Sequence, residues 1–227
     1  MMRSSSFSRR AFFQGGAATL ACAAVGCGPQ AVEKGKPPMW RELYDSLEHR
    51  KCEEGREPAT CSDAVLDECE AALAFRLPTS YRHFMKTFGP GEIFEYFKIY
   101  GPGFSPRDPR REQLDLTALT ERRRKLAKKY FDFYDDSALA ARLITFCSTL
   151  DGHQFGWDPQ EKPSEHDYGP DSSVYVFPRL QKRIPRAAKT FQEFIVDYCQ
   201  NGRDVKHLGG KPWQPKKSFW PFCKPIA

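Results

Sequence analysis

The sequence predicts an α+β fold, with a mostly antiparallel sheet covered by helices. Three observations carry this. An apolar stripe at helical spacing runs through residues 77–91, β-forming runs recur at 91–100, 142–148 and 173–177, and a capped amphipathic helix follows at 190. Their order is helices, strands, a helical insertion, more strands and a closing helix.

Taken in turn, residues 40–50 read as a helix with Trp40, Leu43, Tyr44 and Leu47 on one face. Residues 51–61 are a polar loop holding Cys52 and Cys61. Thr60 with Asp63 approximates a capping box for a helix over 63–74, lined by Val65, Leu66, Cys69 and Leu73. In the next helix Pro78 suits the first turn, and Tyr81, Phe84, Met85 and Phe88 fall at i, i+3, i+4 and i+7. Gly89 and Pro90 stop it.

Residues 91–100 are expected to form one strand, ended by Gly101-Pro102-Gly103. A helix over 115–130 has Leu116, Leu119 and Leu126 as its apolar side. Its run Arg122-Arg123-Arg124-Lys125 reads as a solvated face, with attraction to anionic lipid as the alternative. Strands follow at 142–148, 154–157 and 173–177, with a short one near 182–184, and residues 160–172 are loop-like. Thr190 and Glu193 form a capping box for a helix that buries Phe191, Phe194, Ile195 and Tyr198. The aromatic residues Trp213, Phe219, Trp220 and Phe222 of the tail are expected to pack on the domain.

The amino terminus reads as an export signal. Ser8-Arg9-Arg10-Ala11-Phe12-Phe13-Gln14 has the twin-arginine form, and an apolar run too short to span a bilayer follows. Ala24-Val25-Gly26-Cys27 resembles the lipobox of bacterial lipoproteins, with Cys27 as the lipidation site, although Ala24 stands where Leu is more usual. A poorer lipobox at Cys22, or plain cleavage at Ala21-Cys22-Ala23, would be other endings. The expected organisation is a signal over 1–27, a flexible tether over 28–39, a domain over 40–200 and an aromatic extension over 201–227. The expected location is the periplasmic side of a bacterial membrane, through a lipid anchor; the cytoplasm is the alternative.

The net charge is +6. Three of the 35 basic residues lie in the signal, which carries no acid, leaving 32 against 29 acids. That is too mild a balance for a nucleic-acid partner. The six cysteines beyond the signal permit disulfides without choosing a pairing, and buried free thiols are a second reading of Cys69 and Cys199. No cysteine pair has zinc-ligand spacing, and no cofactor motif is present. Cys147, Asp151 and His153 are close enough in sequence to invite a nucleophile–base reading, but a cysteine in an apolar strand and a histidine in a turn have a blander one. Adjacent carboxylates such as Asp135-Asp136 and Glu53-Glu54 diverge on regular structure. Gly89-Pro90-Gly91 precedes a strand rather than a helix, so it is no phosphate loop. The expected function is therefore not enzymatic, with a cell-envelope hydrolase as the alternative.

Several segments together resemble the SUKH superfamily, the Smi/Knr-like domains. They are Asp67-Glu68-Cys69-Glu70, then Leu77-Pro78-Thr79-Ser80-Tyr81 and Phe84, then Gly89-Pro90-Gly91-Glu92-Ile93. Later come Phe146, Asp151-Gly152, Phe155-Gly156-Trp157-Asp158, Val174-Tyr175-Val176 and Thr190-Phe191-Gln192-Glu193-Phe194-Ile195. The resemblance covers roughly residues 40–198 and implies an α+β domain that binds proteins. In bacteria such domains commonly look like immunity proteins that neutralise toxins; in fungi they are scaffolds. An export signal, a basic helical insertion and an aromatic tail depart from that pattern. The expected partner is a toxin or an envelope protein. Glu92, Glu95, Asp151, His153 and Trp157, which flank the two glycine turns, are the expected contact residues.

Overall fold

The structure, a computed structural model, describes residues 38–104, 108–202 and 214–225. Arg9, Arg10, Cys27 and Trp213 lie outside the described residues, as do the tether up to residue 37 and the side chain of Leu126.

Helices α1 (Pro38–Ser46), α2 (Asp63–Leu73) and α3 (Thr79–Thr87) open the domain. In α3 the predicted stripe is the buried one: Tyr81, Phe84 and Met85 are inaccessible, and Phe88 just past the helix is nearly so. Trp40 of α1 packs edge-on to Phe84 at 5.3 Å, and Phe84 stacks on Phe88 at 4.5 Å. Each such ring pair adds ~1 kcal/mol to the area it buries. Gly89 ends the helix at φ +71°, where a Cβ would lie 2.9 Å from the Ala59 carbonyl oxygen, so only glycine fits. The cap of α2 is Ser62 rather than Thr60, its hydroxyl accepting from the Val65 N–H.

The sheet has eight strands in the order β1 (Glu48–His49), β11 (Ser218–Pro221), β3 (Gly91–Ile93), β4 (Phe97–Ile99), β5 (Ile144–Thr149), β6 (Gln154–Trp157), β9 (Val174–Phe177) and β10 (Arg186–Ala188). All neighbours are antiparallel except β1 with β11. Helix α5 (Leu116–Tyr130) begins at Asp115, whose carboxylate accepts from the Thr117 and Ala118 N–H groups. Helix α4 (Arg111–Leu114) precedes it, and α6 (Ser137–Arg142), which the sequence reading did not anticipate, follows with Asp136 capping the Leu139 N–H. Helix α7 (Phe191–Glu193) continues as the π-helical stretch Phe194–Gln200. Thr190 caps it as predicted, accepting from the Glu193 N–H at 2.9 Å, while the Glu193 carboxylate reaches the Lys189 N–H.

Several expectations are corrected. Residues 91–100 form two strands and not one. The chain reverses at Phe94 and Glu95, both at left-handed φ, and the turn is closed by a Tyr96 N–H bond to the Ile93 oxygen. Neither residue is the usual Gly or Asn of such a turn, so no local signal marks it. What holds Phe94 there is burial of its ring and a 2.8 Å bond from its N–H to the Ser218 oxygen. The 160–172 stretch contains a hairpin of β7 (Ser164–His166) with β8 (Gly169–Asp171), and the late short strand is Arg186–Ala188, not 182–184.

The C-terminal extension does more than pack on the domain: β11 is an interior strand of the sheet. Beyond it β12 (Cys223–Pro225) pairs with β2 (Arg56–Pro58), inside the expected polar loop, and Cys223 is disulfide-bonded to Cys52 across 171 residues. Cys61, Cys69, Cys147 and Cys199 are buried free thiols.

Candidate interaction surface

Alternation along the strands divides the sheet into two faces. Ile93, Phe97, Ile99, Cys147, Phe155 and Val176 point to the main core, against α3, α7 and the π-helical stretch. On the opposite face Trp220, Glu92, Lys98, Ser148, Gln154 and Phe177 form one cross-strand row, each pair in register. Along this row Glu92, Lys98, Ser148 and Gln154 are half-buried. Glu92 sits between Trp220 and Lys98, and burial raises its carboxyl above the ordinary range.

The turns of the β3–β4 and β5–β6 hairpins lie side by side at one end of the sheet. Leu150 N–H bonds to the Tyr96 oxygen, and Tyr96 Oη donates to Asp151 at 2.7 Å. Glu95 takes a bond from Lys216 Nζ. So Glu95 and Asp151 come together, as the sequence reading grouped them, with Glu92 on the adjoining strand.

The other two expected contact residues are placed differently. His153 is 8% exposed; its Nδ1 accepts from the Arg179 N–H, its N–H bonds to Thr149 Oγ1, and burial lowers its pKa. That makes it a structural member of the turn. Trp157 is fully buried, stacked on Phe146 at 4.0 Å and edge-on to Tyr81 at 4.8 Å. It lies on the inner face, so it does not reach a partner, and the expectation that it would is corrected.

Beside the polar row, α5 and α6 cover a second, smaller core of Phe131, Leu139, Ala140, Leu143 and Phe177. Here the reading of Arg123 as solvated fails. Its guanidinium lies over the rings of Phe177 (4.8 Å) and Phe131 (5.3 Å) and donates to Thr145 Oγ1. The signal was present in the spacing: position 123 continues the stripe of buried Leu116 and Thr120. A long arginine stem can occupy such a position.

The acid of the Asp67–Glu70 motif is architectural. Glu70 accepts from the Leu77 N–H and from Arg82, both at 2.9 Å, and so ties α2 to the start of α3. Asp171, buried, accepts from the Ser80 hydroxyl and the Ser172 N–H, and desolvation raises its carboxyl.

Burial pushes the Cys147 thiol well up, where a nucleophilic cysteine needs it down. A cavity of about 890 Å³ lies between α2, the start of α5 and the β2–β12 pair. Several of its charges are bound to each other or to the backbone: Arg110 to Asp108 and the Cys223 oxygen, Lys224 to Glu57, Asp115 to the α5 amides. Among the described residues no three His, Cys, Asp or Glu side chains converge to hold a metal.

Residues 60–197 match the family model described as SMI1 / KNR4 family (SUKH-1). The comparison with curated proteins gives no match.

Proposed function

The chain belongs to the SMI1/KNR4 family (SUKH-1), and on that premise we propose that it is a non-enzymatic protein-binding domain, exported and tethered by a lipid, whose partner is a toxin or an envelope protein. Members of the family are typically toxin immunity proteins. The observation that carries the binding reading is the outer face of the sheet. It presents half-buried polar groups beside the paired turns of Glu95 and Asp151, and no assembled acid, base or activated nucleophile accompanies them among the described residues.

Export rests on Arg9 and Arg10 in the sequence and is supported by the Cys52–Cys223 disulfide, since such bonds persist in oxidising compartments. Lipidation rests on Cys27. Cell fractionation tests both. Arg9→Lys with Arg10→Lys is expected to hold the protein in the cytoplasm, and Cys27→Ala to release it from the membrane fraction. If the double arginine variant leaves the location unchanged, the protein is a cytosolic immunity protein, the second reading that the family favours.

A further inference from the structure

We propose that the pocket floored by Arg123 and rimmed by Arg179 is the docking site for an acidic side chain, an Asp or Glu presented by a protein partner beside an apolar residue. The inference rests on the protein-binding reading and adds the chemistry of the contact.

The pocket lies on the outer face where α5 and α6 meet the ends of β6 and β9, and measures about 400 Å³, room for one or two side chains. Phe131, Phe133, Tyr134 and Phe177 wall it. Among the described residues its two charged lining residues are both arginines, and no carboxylate lines it. The acids near it in sequence are engaged or turned outward: Asp151 receives the Tyr96 hydroxyl, Asp136 caps α6, and Asp132 and Asp135 are exposed.

Arg123 is the unusual member. A guanidinium has five N–H donors and stays charged in protein interiors. Among the described residues its recorded hydrogen bond goes to one neutral acceptor, Thr145 Oγ1, and the charges that act on it come from Tyr134 and Tyr100 rather than from an acid. Burial lowers its pKa to about 10, so it remains protonated at neutral pH. A half-buried cation with no carboxylate against it among the described residues leaves its charge uncompensated, and a carboxylate arriving in the pocket would supply a counter-ion through charge-assisted bonds. The ring faces already hold the cation by its π-surface contacts, which leaves its edge for a planar carboxylate.

Arg179 adds a second cation at the mouth. It is exposed, and among the described residues the hydrogen bond of its side chain is a long one, 3.4 Å to the Asp151 backbone oxygen. Phe133, 46% exposed, is the largest uncovered ring of the region and supplies an apolar lip. Two cations inside aromatic walls select an acidic residue with an apolar neighbour over a purely polar one.

The test uses the full chain with 3-phenylpropionate as probe and 3-phenylpropionamide as its uncharged control, read by amide NMR shifts. The expected result is that shifts concentrate at Phe133, Tyr134, Gly152 and Gln154 and that the carboxylate binds about tenfold more tightly than the amide. Arg179→Gln, at an exposed site, should weaken the carboxylate alone, and Arg123→Met should abolish the preference. Equal binding of the two probes, or shifts elsewhere, would overturn the proposal.

A partner captured from envelope extract provides the second arm. Loss of capture by at least tenfold in Arg179→Gln supports docking at this pocket. Undiminished capture by both variants overturns the docking site and leaves the protein-binding reading standing. Selective probe binding with no protein captured by the wild-type chain overturns the acidic-partner assignment together with the reading beneath it.

Discussion

The two faces of the sheet are built by different rules. The inner face is packed with rings in edge and stacked contacts: Trp40, Tyr81, Phe84, Phe146, Trp157, Phe191 and Phe194 form one continuous cluster. The outer face is covered over part of its width by α5 and α6. There a guanidinium stands among the rings, and a row of polar residues stays half-exposed. The inner face carries the aromatic motif residues Tyr81, Phe84, Phe146, Phe155, Trp157, Phe191 and Phe194 and most of the apolar burial. The outer face gives up packing for charge. If the proposed binding reading holds, stability and recognition fall on opposite sides of one sheet, and substitutions should separate them.

The largest effect is expected on the inner face. Trp157→Ala removes a fully buried indole from between Phe146, Tyr81 and Phe75, and should cost about 3–5 kcal/mol in denaturant unfolding. A loss below about 1 kcal/mol would mean that the ring cluster is not the stabilising side. The edge that closes the sheet comes next. Cys52→Ser with Cys223→Ser frees a loop of 171 residues and should cost about 2–4 kcal/mol, with hydrogen exchange rising first in 218–225.

A smaller effect is expected where the two sides join. Arg142, at the end of α6, grips Asp158 through two 2.8 Å bonds, and this holds the Asp158 carboxyl below the usual carboxylate range. A depressed carboxyl contributes stability above the unfolded value, near pH 4, and loses it as pH falls through the folded one. Asp158→Asn should therefore cost about 1–3 kcal/mol at pH 7, with the gap to wild type closing in acid. A gap independent of pH would assign the effect to packing. The smallest change is expected at the outer-face cation: Arg123→Met keeps the stem's volume and removes an unpaired charge, so stability should stay within about 1 kcal/mol of wild type.

The inner face was the legible one. Helical spacing at Tyr81, Phe84, Met85 and Phe88, the stop at Gly89 and the Thr190 cap are local patterns, and the structure keeps them. What the sequence hid is what depends on distant partners. The reversal at Phe94 and Glu95 is held by Ser218, more than a hundred residues away, and has no turn residue of its own. Trp157 follows a glycine turn, a position that suggests the surface, yet the parity of β6 sends it inward. Arg123 looked solvated within a basic run, and only the rings of Phe131 and Phe177 show where its stem goes. The tail's aromatics announced burial without announcing that they would enter the sheet.

That last strand has a consequence for the order in which the molecule is made. β11 stands between β1 and β3, so a strand from the first part of the domain finds its neighbour only once residues 218–221 have been synthesised. Until then β3 presents an unpaired edge, the kind of surface that recruits strands from other chains. A chain that includes residues 218–225 closes its own sheet and fastens it through Cys223, whereas one cut before Ser218 leaves that edge of β3 unpaired.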